Sequence, residues 1–152
     1  MDLHGGEICL VDSGTTHTIL KDKHYFSQLK LAEAIINTIS GASKLIEGSG
    51  RACIILPNGT KIIISDALYS SRSQRNLLSF KDIRKNGYHI ETMSEYNKEY
   101  ICITSLESGK KHILEKLPAF SSELYYTRIN SIESNYVVDR KLFDPKSFIL
   151  IK

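Results

Sequence analysis

The stretch R-A-C-I-I-L-P-N-G-T-K-I-I-I-S-D at Arg51 to Asp66 places two apolar, β-branched runs on either side of Pro57-Asn58-Gly59-Thr60. Asn-Gly readily adopts the positive backbone angles of a tight turn, so residues 51 to 66 are expected to form a β-hairpin. Asn58-Gly59-Thr60 is also a glycosylation sequon, but with no export signal the turn is the preferred reading. Further strand-like clusters lie between turn signals at Ile8–Val11, Tyr88–Thr92 and Tyr100–Leu106. Together they predict an all-β fold with little helix.

One short helix is expected within Asn76 to Asn86. Ser79 can cap it, Asp82 lies in its first turn, Ile83 is on its apolar side, and Asn86-Gly87 ends it. Tyr25 to Ile36 is ambiguous. Phe26, Leu29, Ala32 and Ile36 fit a helical face, while Leu29, Leu31 and Ile35 fit strands. After about residue 106 the pattern thins, so residues 7–106 are expected to form the domain and residues 107–152 a peripheral extension and divergent tail.

At 152 residues the chain suits one domain with a real core, and its 41% hydrophobic and 24% charged content is ordinary for a globular protein. The net charge of +3 is spread along the chain, so no specific nucleic-acid partner is expected. Cys9, Cys53 and Cys102 are far apart and odd in number, which suggests neither a disulfide framework nor a Cys-x-x-Cys metal site. No apolar run approaches the roughly 18 residues of a membrane span, and Met1–Gly6 has no basic and apolar leader. An intracellular, cytoplasmic protein without membrane, metal or cofactor is the expectation. His17 and His24, around Lys21-Asp22-Lys23, have no His-Glu-x-x-His spacing and no third ligand nearby in sequence, so they read as surface or structural histidines.

The segment I-C-L-V-D-S-G-T-T-H at Ile8 to His17 carries the chemistry. An apolar strand runs directly into Asp12, and a glycine two residues later permits a sharp turn that can present the carboxylate rigidly. A lone Asp-Ser-Gly is equally an ordinary surface turn. Two carboxylates about 3 Å apart, however, share a proton, and one can then activate water while the other polarises a peptide carbonyl. Ser13 is not in a Gly-x-Ser-x-Gly elbow and is expected to position the loop rather than act as a nucleophile.

Two blocks make the chain resemble the retroviral-type aspartic proteases, specifically those of copia-type retrotransposons. The first is I-C-L-V-D-S-G-T-T-H-T-I-L at Ile8 to Leu20. The second, more specific, is D-A-L-Y-S-S-R-S-Q-R-N-L-L-S-F-K-D-I-R-K-N-G-Y-H-I-E-T at Asp66 to Thr92. The resemblance implies a retropepsin-like half-barrel with a flap hairpin and one short helix. It implies Asp12 as the catalytic aspartate, with Ser13, Gly14 and Thr15 forming its loop. It also implies a glycine-tipped flap in an interval that holds T-I-S-G-A-S at Thr38 to Ser43 and E-G-S-G at Glu47 to Gly50; the tip falls near Ser40 and Gly41, where an ordinary hairpin turn is the other reading. The implied activity is cleavage of the element's own Gag-Pol polyprotein. Where related retroviral enzymes usually have glycine before the helix, this chain has Ser79, as copia-type proteins commonly do.

Of the other aspartates, Asp2, Asp22, Asp66, Asp82, Asp139 and Asp144, none is followed by Ser-Gly or Thr-Gly. An active pair therefore requires a second copy of the chain, a homodimer acting on a polypeptide substrate. The alternative is a non-catalytic module of the same fold, kept for binding or assembly.

Overall fold

The computed structural model describes residues 6–37, 43–121 and 124–132. Its strands are β1 (Glu7–Asp12), β2 (Ile19–Leu20), β3 (Phe26–Asn37), β4 (Ser43–Ile55), β5 (Lys61–Tyr69), β6 (Asn76–Ser79), β7 (His89–Glu95), β8 (Lys98–Glu107), β9 (Lys110–Ser121) and β10 (Leu124–Ile129). The helix α1 (Phe80–Lys85) follows β6, and a 3-10 turn occupies Lys23–Tyr25. Among the described residues the fold is all-β with one short helix, as the sequence predicts.

The expected hairpin forms as β4 and β5. Gly59 takes φ +93°, a left-handed conformation that favours glycine, and Gly59 N–H donates to the Leu56 carbonyl at 2.8 Å. Asn58 is occupied within the fold: its amide donates to the Leu114 carbonyl at 3.0 Å. The buried Glu115 carboxylate of β9 accepts the backbone N–H groups of Asn58 and Thr60 at 3.1 and 3.2 Å. A buried charge is costly unless it is hydrogen-bonded, so Glu115 and the turn are mutually dependent.

After Tyr25, which ends the 3-10 turn, the ambiguous segment is strand, β3, which pairs antiparallel with β4 from Phe26↔Ala52 to Asn37↔Ser43. The register shifts between Phe26 and Gln28, so one extra residue faces β4 there. This bulge puts Phe26 and Leu29, three apart, into the core together, which is the spacing that imitates a helical face. The expected flap residues Ser40 and Gly41 lie outside the described residues.

The ten strands form one sheet in the order β3-β4-β5-β2-β6-β1-β10-β9-β8-β7. It curls back on itself: Ile55, at the end of β4, exchanges backbone hydrogen bonds of 2.8 and 3.0 Å with Asn130, just after β10. The enclosed core holds Val11, Leu20, Ile54, Ile64, Leu78, Ile83, Ile103 and Leu117, each at most 2% exposed. A smaller cluster gathers Ile19, Ile46 and Leu68, with Leu77 against it.

The chain after residue 106 departs from the expected peripheral extension. β9 pairs with β8, and β10 runs antiparallel to β1 along its whole length, from Glu7↔Ile129 to Asp12↔Leu124. Tyr125 and Ile129 enter the main core. β10 thus satisfies the backbone of β1 on one side while β6 satisfies it on the other.

Candidate active site

Asp12 is the last residue of β1, at the point where that strand is flanked by two others. β6 runs parallel to it, with Asp12 opposite Ser79, and β10 runs antiparallel, with Asp12 opposite Leu124. Alternation along β1 sends Cys9 and Val11 fully into the core, which turns Leu10 and Asp12 to the other face, where both are half-buried. Leu77 stands beside Leu10 in register, and Tyr126 lies opposite Leu10 from β10. Phe120 meets the Tyr126 ring edge-on at 6.1 Å, and the Arg75 guanidinium lies 5.9 Å from the Phe120 ring centroid. The carboxylate therefore stands at the end of an apolar, half-exposed strip.

The loop after Asp12 is held by specific bonds. Gly14 N–H donates to Asp12 Oδ1 at 2.9 Å, an interaction that orients the carboxylate. Gly14 does not take a positive φ. A Cβ at residue 14 would meet Asp12 Oδ1 at 3.5 Å, ordinary contact, so glycine is not sterically required there but leaves the exposed side of the carboxylate uncovered. Ser13 is exposed. Thr15 takes part through its backbone: its carbonyl accepts the Ser79 hydroxyl at 2.8 Å.

Ser79 caps α1, accepting Lys81 N–H at 3.2 Å, and its own N–H donates to Thr18 Oγ1 at 3.1 Å. Thr18 in turn donates to Asp82 Oδ2 at 2.6 Å, and both residues are buried. Thr18 thus links Ser79 and Asp82 in a hydrogen-bond chain that, with the Ser79–Thr15 bond, fastens the Asp12 loop to the first turn of α1. The sequence identifies Ser79 and Asp82 as helix-cap residues. Their bonds to Thr15 and Thr18, more than 60 positions earlier, carry no local signal. Leu10 was accessible, because a residue two before Asp12 on a strand must share its face.

His17 lies 3.4 Å from Asp66, and Thr16 Oγ1 is 3.1 Å from His17 Nδ1. His24 lies instead beside Glu7 and Asp22, at the opposite end of β1 from Asp12. Burial pushes all three cysteine thiols above their ordinary value, most strongly Cys9, so none of them is a ready thiolate nucleophile.

The family model described as "Pol polyprotein, beta-barrel domain" matches residues 9–88, more than half of the chain and the span from β1 through α1. The chain belongs to this family, a region of retroelement Pol polyproteins. No curated protein matches it.

Proposed function

We propose that this chain is the protease domain of a copia-type retroelement polyprotein, a retropepsin-like aspartic endopeptidase that works as a homodimer. The observation that carries the reading is the setting of Asp12: a carboxylate at the end of β1, oriented by Gly14 N–H and flanked on its own face by Leu10 and Leu77. The bonds from Ser79 and Thr18 keep its loop in place. Family membership in a Pol polyprotein agrees with it.

Each chain supplies one Asp-Ser-Gly. Two copies related by a two-fold axis bring Asp12 to Asp12, and the two carboxylates share one proton because both cannot ionise cheaply at contact distance. The ionised member takes a proton from water as it attacks the peptide carbonyl; the protonated member hydrogen-bonds the carbonyl oxygen. Leu10 and Leu77 offer apolar contact to substrate side chains next to the scissile bond, and the β3–β4 hairpin provides the cover. The substrate is an extended polypeptide, the Gag-Pol precursor by resemblance.

The test is incubation of the purified chain and an Asp12→Asn variant with an unstructured protein at mildly acidic pH, with cleavage mapped by mass spectrometry. The proposal expects cleavage by the wild type and none by a folded Asn variant. Equal cleavage by both removes Asp12 from the mechanism, and no cleavage by a dimeric wild type favours the binding or assembly module.

A further inference from the structure

At the start of β1, away from Asp12, the fold assembles a second group of chemically capable side chains. Glu7, Asp22 and His24 each offer one ligand atom, and those atoms all lie within 4.8 Å of one another. They come from two separate segments, the first residue of β1 and the 3-10 turn Lys23–Tyr25 with Asp22 just before it. They line an opening of about 380 Å³ together with Gly6, Asn130 and Ser131. Sequence spacing pairs Asp22 with His24 but cannot show Glu7, fifteen positions before Asp22.

Two of the three side chains, Glu7 and His24, are held by their surroundings. The Tyr25 hydroxyl donates to Glu7 Oε1, and Tyr25 is itself fixed in the main core at 3% exposure. The His24 ring lies on the Tyr25 ring with centroids 4.1 Å apart, which restrains the imidazole, and its Nε2 is 3.9 Å from Glu7 Oε1. Lys23, between the two other ligands in sequence, sends its ammonium toward the Tyr69 ring, 5.9 Å from the centroid. Such support of donor atoms by neighbouring hydrogen bonds and packing is what metal sites require beyond the ligands themselves.

We propose that Glu7, Asp22 and His24 form a divalent-cation site that takes zinc. Ligand atoms about 2.0 to 2.2 Å from a tetrahedral zinc stand about 3.4 Å apart, so the observed spacing needs only small side-chain rotations. One imidazole and two carboxylates suit zinc over calcium or magnesium, which favour all-oxygen shells. Three protein ligands leave a fourth position for water or for a group from the Asn130–Ser131 side. Glu7 and Asp12 sit at opposite ends of a six-residue strand, about 17 Å apart at the usual rise, so the ion is structural with respect to Asp12. It would tie the beginning of β1 to the Asp22 turn.

The full chain, stripped with chelator and dialysed, is titrated with zinc chloride against a chromophoric indicator, and the zinc-loaded wild type is measured by X-ray absorption. The expected result is one zinc per chain, with a shell of oxygen and nitrogen that includes one imidazole. Asp22→Asn and His24→Gln should each weaken binding at least tenfold, and His17→Gln, which alters a histidine paired with one carboxylate only, should leave it unchanged. A sulfur-containing shell, no saturable binding at micromolar protein, or equal weakening by His17→Gln would overturn the site. The absorption spectrum of the wild type decides the matter even if a variant fails to fold.

Discussion

Between Glu7 and Lys85 the strands that touch are often distant in the chain, with β1 parallel to β6 and β2 parallel to β5, whereas from His89 to Ile129 the strands β7, β8, β9 and β10 lie side by side in chain order. The first region can therefore bring the loop after Asp12 onto the segment Ser79–Asp82, and the candidate site arises from that crossing. The second region is a local antiparallel slab. It meets the site through β10, which sets Leu124 opposite Asp12 and Tyr126 opposite Leu10, while its Glu115 holds the Asn58 turn. The contrast separates residues that hold the site's geometry from residues that hold the sheet.

The largest effect should come from removing the slab's contribution. A chain ending at residue 106 loses β9 and β10, leaving one side of β1 without backbone partners, and should fail to fold by circular dichroism. The point change Ile129→Ala should cost about 2 to 5 kcal/mol in urea unfolding, as expected for a fully buried isoleucine. A truncated chain that unfolds cooperatively at the wild-type midpoint would return residues 107–129 to the periphery.

Thr18→Val and Glu115→Ala sharpen the distinction. Thr18→Val leaves Ser79 N–H without its acceptor and Asp82 without its donor; Glu115→Ala leaves the N–H groups of Asn58 and Thr60 without theirs. Each should lower stability by about 1 to 3 kcal/mol. Only Thr18→Val should also lower cleavage per folded molecule, measured as initial rate against folded fraction. Equal effects on rate would erase the difference between the two regions.

Ser79→Ala is a smaller perturbation. It removes the cap on Lys81 N–H and the bond to the Thr15 carbonyl, and should cost about 1 kcal/mol. The smallest expected effect is on pH dependence at Glu47. Ser71 donates its hydroxyl and its backbone N–H to this carboxylate, which holds it below the ordinary glutamate value of 4.5. A carboxylate with a lowered folded value stabilises the fold above its unfolded value, and that stabilisation is lost as pH falls through the folded one. The wild type should therefore lose more stability below pH 4.5 than Ser71→Ala does, read as the difference in their urea midpoints between neutral and acidic pH.

Much of the first region was legible because its signals are local. Asn58-Gly59 marks its own turn, Ser79 and Gly87 mark the ends of α1, and the apolar run before Asp12 marks β1. β3 was half-hidden because the bulge at Ser27 breaks the two-residue alternation on which strand recognition depends. β9 was missed for a related reason: its core side carries a charge, Glu115, while Ile113 and Phe120 are more than half exposed and Pro118 interrupts the run. Burial there follows from a hydrogen bond to a turn 55 residues away, which no window along the chain can register. The same holds for the Thr18–Asp82 bond and for Glu7 beside His24.

The proposed pairing gives each catalytic site one Asp12 from each of two chains. It is tested most directly by mixing wild type with about a ninefold excess of folded Asp12→Asn chain, after exchange of subunits, and measuring cleavage alongside sedimentation. Free pairing leaves roughly one tenth of the wild-type chains with a wild-type partner, so activity should fall to about that fraction. Undiminished activity, carried by a species that sediments as a monomer, would contradict it.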